Sequence, residues 1–482
     1  MWTSINQALN IIDNFVWGVP LMVLIIAGGL LLTIRLGLLQ IRKLPLALKW
    51  MLQNEEGGKG EISSFSALCT ALSATIGTGN IVGVATAVCA GGPGALFWMV
   101  VAAFLGMATK YSEGLLAVKY RTVAEDGHSL GGPFYYIELG MGKKFKWLAK
   151  IFAFFGVCVG LFGIGTFSQV NGISSAVHGF FDPNDAFTVK ILPFLGEYSW
   201  SVVIASLILS FCVAAVLIGG VKRIASVSQI IVPFMAVIYF VFAVILICCN
   251  ITKVPAAFAT IVTAAFSPKA ITGGAVGSML IAMQKGVARG IFSNEAGLGS
   301  APIAAAAAQT NSPVRQGLVS MTGTFIDTII ICTLTGLSIV LTGAWQVEGL
   351  EGVQVTTYAF QHGLPFPAQF SSFILMLCLV FFAFTTILGW DYYSERCLEY
   401  LSGGNMKHVK IFRWIYILAV FIGPYMTVSA VWTIADIFNG LMAIPNMIAL
   451  FALSGVIVKE TRAFFQHAKE EALAEHRSFE EV

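Results

Sequence analysis

The chain has 482 residues, of which 57% are hydrophobic and 11% are charged, and its mean hydropathy is +0.83. A water-soluble domain averages about 25% charged residues. The composition therefore excludes a soluble globular protein and predicts an all-α, polytopic membrane protein. The formal net charge of +3 says little about partners, and no nucleic-acid-binding footprint is visible.

The N-terminal region has the features of a retained membrane span. Residues 1–14 contain Asp13 and no basic residue, and the apolar run that follows continues to Arg35 without a cleavage-like site. These features argue against a signal peptide. The nine cysteines lie in apolar runs or at their edges, without a C-x-x-C pattern or a cluster of histidines. This placement favours core-filling thiols over disulfides or metal ligands.

A bilayer-length window predicts about eleven transmembrane helices. We name the first the leading span and number the others one to ten. The predicted spans are 16–38, 66–90, 95–118, 148–178, 198–219, 226–250, 274–308, 317–343, 367–399, 411–430 and 433–457.

Basic residues are concentrated in alternate connecting segments. One set of segments holds most of the Lys and Arg residues, whereas the opposite loops contain only Lys190, Lys253 and Lys269. By the positive-inside rule, this distribution places the N-terminus outside and the C-terminus in the cytoplasm, in the inner membrane of the cell. Segment 41–52 mixes basic and apolar residues as an interfacial helix does.

Span one contains a polar, glycine-rich stretch at 73–83, SATIGTGNIVG. Gly77, Gly79 and Gly83 weaken a helix. An opened backbone at membrane depth is tolerated only where protein surrounds it or where it lines an aqueous cavity. The alternative is close helix packing, because Gly79 and Gly83 also form a GxxxG pair. The stretch alone leaves both interpretations open.

Span six repeats this anomaly, because it carries Lys285, Arg289 and Glu295 among several glycines. With the leading span set aside, spans one and six each open a set of five spans. Glycine-interrupted helices at matching places in two inverted halves indicate a transport site near the bilayer midplane. The predicted domains are the leading segment at 1–65, the two halves at 66–252 and 253–458, and a cytoplasmic tail at 459–482.

Three motifs carry a resemblance to a known family: GTGN at 77–80, GGPGALFW at 91–98 and GIFSNEAGLGSAP at 290–302. With the surrounding residues from about 17 to 459, they resemble the alanine or glycine:cation symporters, also called sodium:alanine symporters. The resemblance implies a leucine-transporter-like core of five plus five inverted spans, preceded by one extra helix. It also implies import of a small neutral amino acid, alanine and/or glycine, coupled to sodium by alternating access.

A zwitterionic amino acid needs amide donors for its carboxylate and carbonyl acceptors for its ammonium group. We expect the donors at the break of span one and the acceptors at half-helix ends in spans one and six. The predicted substrate-binding residues are Thr75, Gly77, Thr78, Gly79, Asn80, Gln169, Gly290, Phe292, Ser293 and Asn294. The side-chain amides among them fit interhelical hydrogen bonding equally well.

Sodium is a hard cation that prefers oxygen ligands. The spacing of Phe382, Thr385 and Thr386 on span eight resembles the more widespread sodium site of leucine-transporter-like folds, which pairs with carbonyls of span one. The resemblance implies five sodium ligands: Ser73, Ile76, Phe382, Thr385 and Thr386. The alternative is that each threonine hydroxyl bonds to its own helix. Some sodium-independent relatives of the fold place a lysine in span five. Residues 224–252 contain no lysine, which favours a metal cation over a proton as the coupling ion.

The charged residues Lys285, Arg289 and Glu295 have two open interpretations. They form structural ion pairs, with Glu295, Asp327 or Asp391 as the available acids, or they contact the substrate or a gate. Asp436 is expected to be a partner at a helix end.

We expect an amino acid, sodium and the lipid bilayer as partners, a monomeric functional unit, no nucleic acid and no cofactor apart from the co-transported sodium. A proton-coupled symporter of the same fold is the main alternative. A channel would not require paired breaks. No HExxH, GxSxG or P-loop motif indicates an enzyme.

Overall fold

The computed structural model describes residues 2–53, 55, 57–124, 127–190, 197–266, 275–425 and 428–474. Within these ranges almost every ordered element is a helix, and the strands form two short antiparallel hairpins. The hairpins pair β1 Thr122–Val123 with β2 Ser129–Leu130, and β3 Thr188–Lys190 with β4 Glu197–Ser199. The predicted all-α, polytopic membrane fold is confirmed. Lys269, which the charge pattern assigns to an outer loop, lies outside the described residues.

The helices up to span five include the leading span and the first broken span. They are α1 Trp2–Val16, α2 Val19–Arg35, α3 Leu39–Arg42, α4 Leu44–Met51, α5 Ser64–Thr75, α6 Val84–Gly91, α7 Gly94–Lys119, α8 Pro133–Tyr135, α9 Lys146–Phe162, α10 Phe167–Phe181, α11 Trp200–Leu217 and α12 Gly220–Cys249.

The helices that follow span five include the second broken span. They are α13 Val254–Phe266, α14 Ala275–Asn294, α15 Ala301–Ala305, α16 Pro313–Thr324, α17 Thr333–Thr342, α18 Val353–Gly363, α19 Ala368–Leu401, α20 Met406–Ile422 and α21 Val428–Ala474. Wider π-helical turns occupy Gly79–Gly83, Tyr136–Gly140 and Phe325–Cys332, and short 3₁₀ turns occupy Lys143–Phe145, Ile251–Lys253, Ala344–Gln346 and Gly423–Tyr425.

Eight described helical stretches are long and apolar enough to cross a bilayer, and the pair Ser64–Thr75 and Gly79–Gly91, bent by 52°, is a ninth candidate. The other two predicted spans coincide with α14–α15 and with α20. Neither is a long, uninterrupted apolar helix: α14 carries Lys285 and Arg289 before its break, and α20 has 17 residues with a basic start.

Three predicted spans are interrupted. The breaks in spans one and six agree with the sequence prediction, whereas span three was predicted as continuous and instead breaks between Phe162 and Phe167. Span eight packs closely against this break. A Cβ atom on Gly165 would lie 2.7 Å from Cβ of Trp390 and 2.6 Å from the Gly160 oxygen.

The packing brings the two predicted breaks together. Helix α7 packs along α14 and α16, while α19 packs along α9 and α10. Between these two groups, α5 contacts α19, and the turn Gly79–Gly83 contacts α14. The breaks of spans one and six therefore face each other across the interior of the bundle.

The connecting segments contain helices that the hydropathy pattern did not predict. The segments after spans five and seven contain α13 and α18. At the C-terminus, α21 continues as one helix past residue 459, the predicted start of the tail. These helices are short or amphipathic, so a bilayer-length window does not detect them.

Candidate functional site

Span one is broken just after α5. Helix α5 ends at Thr75, and Ile76 has an extended backbone with φ −76° and ψ 94°. The chain resumes at Gly79 in a direction that differs by 52°. An extended residue releases amide and carbonyl groups from the helical ladder, and buried groups of this kind need other partners.

Two amides of this break are held by side-chain oxygens. The Gly77 amide donates to Asn80 Oδ1 at 2.9 Å, and the Thr78 amide donates to Gln169 Oε1 at 3.0 Å. The Thr78 hydroxyl is buried and has no hydrogen-bond partner within the described ranges. The predicted donors therefore lie together. Neutral side-chain oxygens accept from the two amides, and the Thr78 hydroxyl is the polar group without a partner within the described ranges.

The glycines of the break also permit close packing. A Cβ atom on Gly77 would lie 2.5 Å from Thr386 Oγ1, and one on Gly79 would lie 3.2 Å from Cα of Ser293 and 3.3 Å from Cδ1 of Phe292. Real Cβ contacts of this length require the neighbour to move. An opened backbone and close packing thus occur together at Gly77 and Gly79. Gly83, the second glycine of the GxxxG pair, is not closely packed, because a Cβ atom there would meet only Arg289 Cδ, at 3.9 Å.

Span six is broken by a left-handed turn after α14. Helix α14 ends at Asn294, and Glu295, Gly297 and Gly299 have φ values of 57°, 91° and 83°. Glycine adopts this region at little cost, whereas a glutamate there is strained and marks a constrained site. The Asn294 carbonyl accepts a hydrogen bond from Lys110 Nζ at 2.7 Å.

Lys110 was missed by the sequence analysis. It lies on α7 and is 2% exposed, at the negative end of the α14 helix dipole, where a cation is stabilising. The available signal was a lone lysine in the middle of span two, three residues before Glu113. Glu113 holds the same loop, because its carboxylate accepts from the Gly297 amide at 3.1 Å and from Asn446 Nδ2 at 2.6 Å.

The residues predicted as carbonyl acceptors have different positions in α14. Phe292 and Ser293 lie in its last turn, beside Gly79. Gly290 lies one turn earlier in the continuous helix, where a Cβ atom would be 3.0 Å from Met99 Cγ. Gly290 therefore serves packing against α7. Thr75 ends α5, and its hydroxyl donates to a carbonyl of its own helix at 3.3 Å.

Asp327 joins the two breaks. Its Oδ1 accepts from Asn80 Nδ2 at 2.8 Å, and its Oδ2 accepts from Ser293 Oγ at 2.8 Å and from Thr328 Oγ1 at 2.7 Å. Asn294 Nδ2 donates to the same threonine hydroxyl at 3.0 Å. The carboxylate is fully buried, so these donors replace its hydration.

Sequence reasoning considered Asp327 only as an ion-pair partner for the cations of span six. The missed signal was an acid in the middle of span seven, which is expensive in a membrane unless it has a function or a partner.

An oxygen cluster lies where span eight meets the break of span one. Thr386 Oγ1 is 3.2 Å from the Ile76 oxygen and 3.0 Å from the Phe382 oxygen, and Thr385 Oγ1 is 3.0 Å from the Phe382 oxygen. The hydroxyl of Ser73 instead donates to a carbonyl of its own helix at 2.8 Å. Four of the five predicted sodium ligands are thus brought together.

The intramembrane charges are arranged differently from the prediction. Arg289 forms a two-pronged ion pair with Asp436, at 3.0 and 2.6 Å, and not with Glu295, Asp327 or Asp391. Asp436 is on span ten, so the pair joins spans six and ten.

Glu295 is turned away from the face of α14 that carries the cations. The left-handed turn lets its carboxylate accept from Trp390 Nε1 at 2.8 Å and from Ser300 Oγ at 2.5 Å. Lys285 is exposed on α14, two turns before the break. The three charged residues therefore do not form one cluster.

Comparisons with known proteins cover the whole site. A model of the sodium:alanine symporter family matches residues 2–478. The chain is 46% identical over 471 residues to the sodium/alanine symporter AgcS of Methanococcus maripaludis, covering 96% of this chain and 98% of the relative. It is 55% identical over 467 residues to an uncharacterized transporter of Haemophilus influenzae, covering 97% of each. It is also 36% identical over 472 residues to the probable sodium/glutamine symporter GlnT of Bacillus subtilis, covering 97% and 92%.

Gly77→Ala tests the close approach at the first break. The added methyl group would meet Thr386 Oγ1 at 2.5 Å, whereas a methyl group at Gly83 would meet only Arg289 Cδ at 3.9 Å. Overpacking costs about 1–3 kcal/mol, so we expect Gly77→Ala to lower transport by about tenfold or more. Gly83→Ala is the matched control and should keep wild-type uptake. Equal uptake by the two variants would contradict this assignment.

Asp327→Asn tests the carboxylate that joins the breaks. An amide offers a donor where three donors already point, so we expect a loss of about 2–4 kcal/mol in stability and a near-complete loss of transport. The measurements are the melting temperature and radiolabelled uptake by the purified, reconstituted variant. Asp185→Asn, at an acid whose side chain is 64% exposed, is the control. An unchanged melting temperature and unchanged uptake in Asp327→Asn would show that the Asp327 carboxylate is not needed to hold the two breaks together.

Proposed function

Because the chain belongs to the sodium:alanine symporter family, a family of membrane transporters and not of enzymes, we propose that it imports alanine and/or glycine together with sodium by alternating access. The observation that carries the proposal is the meeting of two interrupted helices, joined by Asp327, beside the oxygen cluster of Ile76, Phe382 and Thr386. The amino acid needs the released backbone groups of the interrupted helices, and the cation needs the oxygen cluster.

The substrate carboxylate binds at the break of span one in this proposal. The amides of Gly77, Thr78 and Gly79 supply the donors, and the carboxylate displaces the oxygens of Asn80 and Gln169 that now occupy two of them. A carboxylate is the stronger acceptor, because charge-assisted hydrogen bonds are about twice as strong as neutral ones. The unpartnered Thr78 hydroxyl is a further donor.

The substrate ammonium group binds at the end of α14. The backbone carbonyls of its last turn, at Phe292 and Ser293, and the carboxylate of Asp327 are the acceptors there. Because Gly79 lies within contact of both α14 residues, the space between the breaks fits only a small side chain. This restriction favours glycine and alanine over larger amino acids.

Sodium binds at the oxygen cluster. The carbonyls of Ile76 and Phe382 and the hydroxyls of Thr385 and Thr386 are oxygen ligands of the kind that a hard cation prefers. The Ser73 carbonyl remains a fifth ligand, since its hydroxyl is engaged in its own helix. In the sodium-bound state, the two hydroxyls turn their hydrogens away from these carbonyls.

We further propose that the N-terminus is outside and the C-terminus cytoplasmic, and that the halves at 66–252 and 253–458 form the inverted repeat. The ion pair of Arg289 with Asp436 then lies on the outer side of the substrate and closes that side. The guanidinium also lies 5.4 Å from the ring of Phe292, and this contact supports a closure next to the proposed substrate region.

Uptake under imposed gradients tests the function. We expect proteoliposomes to accumulate radiolabelled alanine when only a sodium gradient is applied, and not when only a lithium or proton gradient is applied. Unlabelled glycine should compete, and unlabelled leucine should not. Accumulation driven by a proton gradient alone would support the proton-coupled alternative, and equilibration without accumulation would indicate a channel.

Thr386→Val tests the cation site. It preserves shape and removes a hydroxyl that contacts both span one and span eight, whereas Thr385 contacts only its own helix and Met235 Sδ. We expect the apparent sodium affinity to fall both in Thr386→Val and in Thr385→Val, and to fall further in Thr386→Val. Through linkage, alanine should bind more weakly at low sodium and recover at saturating sodium.

The measurement for Thr386→Val is alanine binding across a sodium titration. Ser372→Ala, at a half-buried hydroxyl of the same helix that contacts Gln361 and its own helix, is the control and should titrate as the wild type does. A sodium titration of Thr386→Val that matches the wild type would remove this residue from the ion site.

A further inference from the structure

Beyond the oxygen cluster, α19 carries a line of three carboxylates: Asp391, Glu395 and Glu399. They are spaced by four residues and therefore lie on one face of the helix. Their residues are 0%, 3% and 4% exposed. The line begins near the end of α19, at Glu399, and Asp391 lies about 12 Å further along the helix axis.

Two of these carboxylates have counterions. Glu395 accepts two hydrogen bonds from Arg413 of α20, at 2.6 and 2.8 Å. Glu399 lies 2.8 Å from Arg396 and 2.8 Å from His128 Nε2. Each available guanidinium in this line is therefore already paired with one acid.

Asp391 is the exception. Both of its carboxylate oxygens are buried and have no hydrogen-bond partner among the described residues. An ionised carboxylate left unpaired in a protein interior costs several kcal/mol. The position therefore demands either a bound cation or a bound proton.

The groups around Asp391 favour the proton. The Tyr416 hydroxyl of α20 lies 2.8 Å from the carbonyls of Gly165 and Ile387, which engages the nearby neutral oxygens that a sodium ion would need. Glu395, Arg413 and Arg396 are the charged groups that act on Asp391. The ionisable residues of the adjoining α9 are Lys146 and Lys150, near its start, and the thiol of Cys158, and that of α10 is His178, near its end.

We propose that Asp391 binds a proton, which it exchanges with water at the end of the bundle that carries His128 and Arg413. We call this the basic end, and the charge distribution predicts it to be cytoplasmic. Glu395, Glu399 and His128 form the route, and carboxylate and imidazole groups in such a series are the usual components of a proton relay.

The proposed step is a reversible protonation. A proton from water at the basic end converts the Asp391 carboxylate to a carboxylic acid, and it returns to the same side when the acid ionises. The line of carboxylates leads to one end only, so the protein moves no net proton across the membrane. This inference extends the proposed symport, because it makes the rate of symport depend on the pH at the basic end.

Infrared spectroscopy tests the protonation directly. At neutral pH the purified protein should show the C=O stretching band of protonated carboxyl groups, shifted in heavy water. We expect Asp391→Asn to lose the intensity of one carboxyl group and Glu395→Gln to retain it, because Glu395 is an ionised partner of Arg413. Should Asp391→Asn fold poorly, Asp391→Ser serves the same purpose. An unchanged band in the Asp391 variant would overturn the proposal.

Transport in vesicles of one orientation tests the consequence. With pH set separately on the two sides, sodium-driven alanine uptake by the wild type should change severalfold with pH at the basic end and little with pH at the other end. Asp391→Asn should transport alanine with sodium but without this pH dependence. A wild-type pH profile in Asp391→Asn would overturn the proton site. Failure of sodium-driven uptake in the wild type would instead reject the proposed symport, so the two failures are distinguishable.

Discussion

A helix that opens inside a membrane must find protein partners for its released backbone groups, because lipid offers none. The whole interior depends on this constraint. The released amides of span one are held by Asn80 and Gln169, and the Ile76 carbonyl faces the Thr386 hydroxyl. At span six, the Asn294 carbonyl is held by Lys110. Every one of these partners is polar, and three of the four come from another span.

Sequence reasoning located the long apolar spans and two of the three breaks, because both depend on local composition. A run of apolar residues is visible in any window of bilayer length, and glycines among polar residues at such a depth are conspicuous. The resemblance to leucine-transporter-like folds, and not local composition, implied that Thr385 and Thr386 lie beside span one. The Thr386 hydroxyl does contact span one, at the Ile76 oxygen.

What sequence reasoning missed is the choice of partners. Arg289 pairs with Asp436, which is 147 residues away, and no feature near either residue specifies the other. At the break in span three, Gly165 packs against Trp390 of span eight, which is likewise a tertiary contact. Asp327 was visible as an intramembrane acid, but its position between Asn80 and Ser293 depends on how three spans pack.

The geometry of one peptide unit links the two proposed ligands. Ile76 supplies a carbonyl to the oxygen cluster, and Gly77, the next residue, supplies an amide to the proposed carboxylate site. No cis peptide bond occurs within the described residues, so this planar unit points its oxygen and its hydrogen in opposite directions.

A cation that attracts the Ile76 oxygen therefore also orients the Gly77 amide toward the substrate. The same cation polarises the peptide, which makes the amide a stronger donor to a carboxylate. Because Gly77 has no side chain, nothing separates this unit from Thr386 of span eight. Sodium and amino acid can thus stabilise one arrangement of span one from its two sides, and this shared dependence is the physical content of coupling between them.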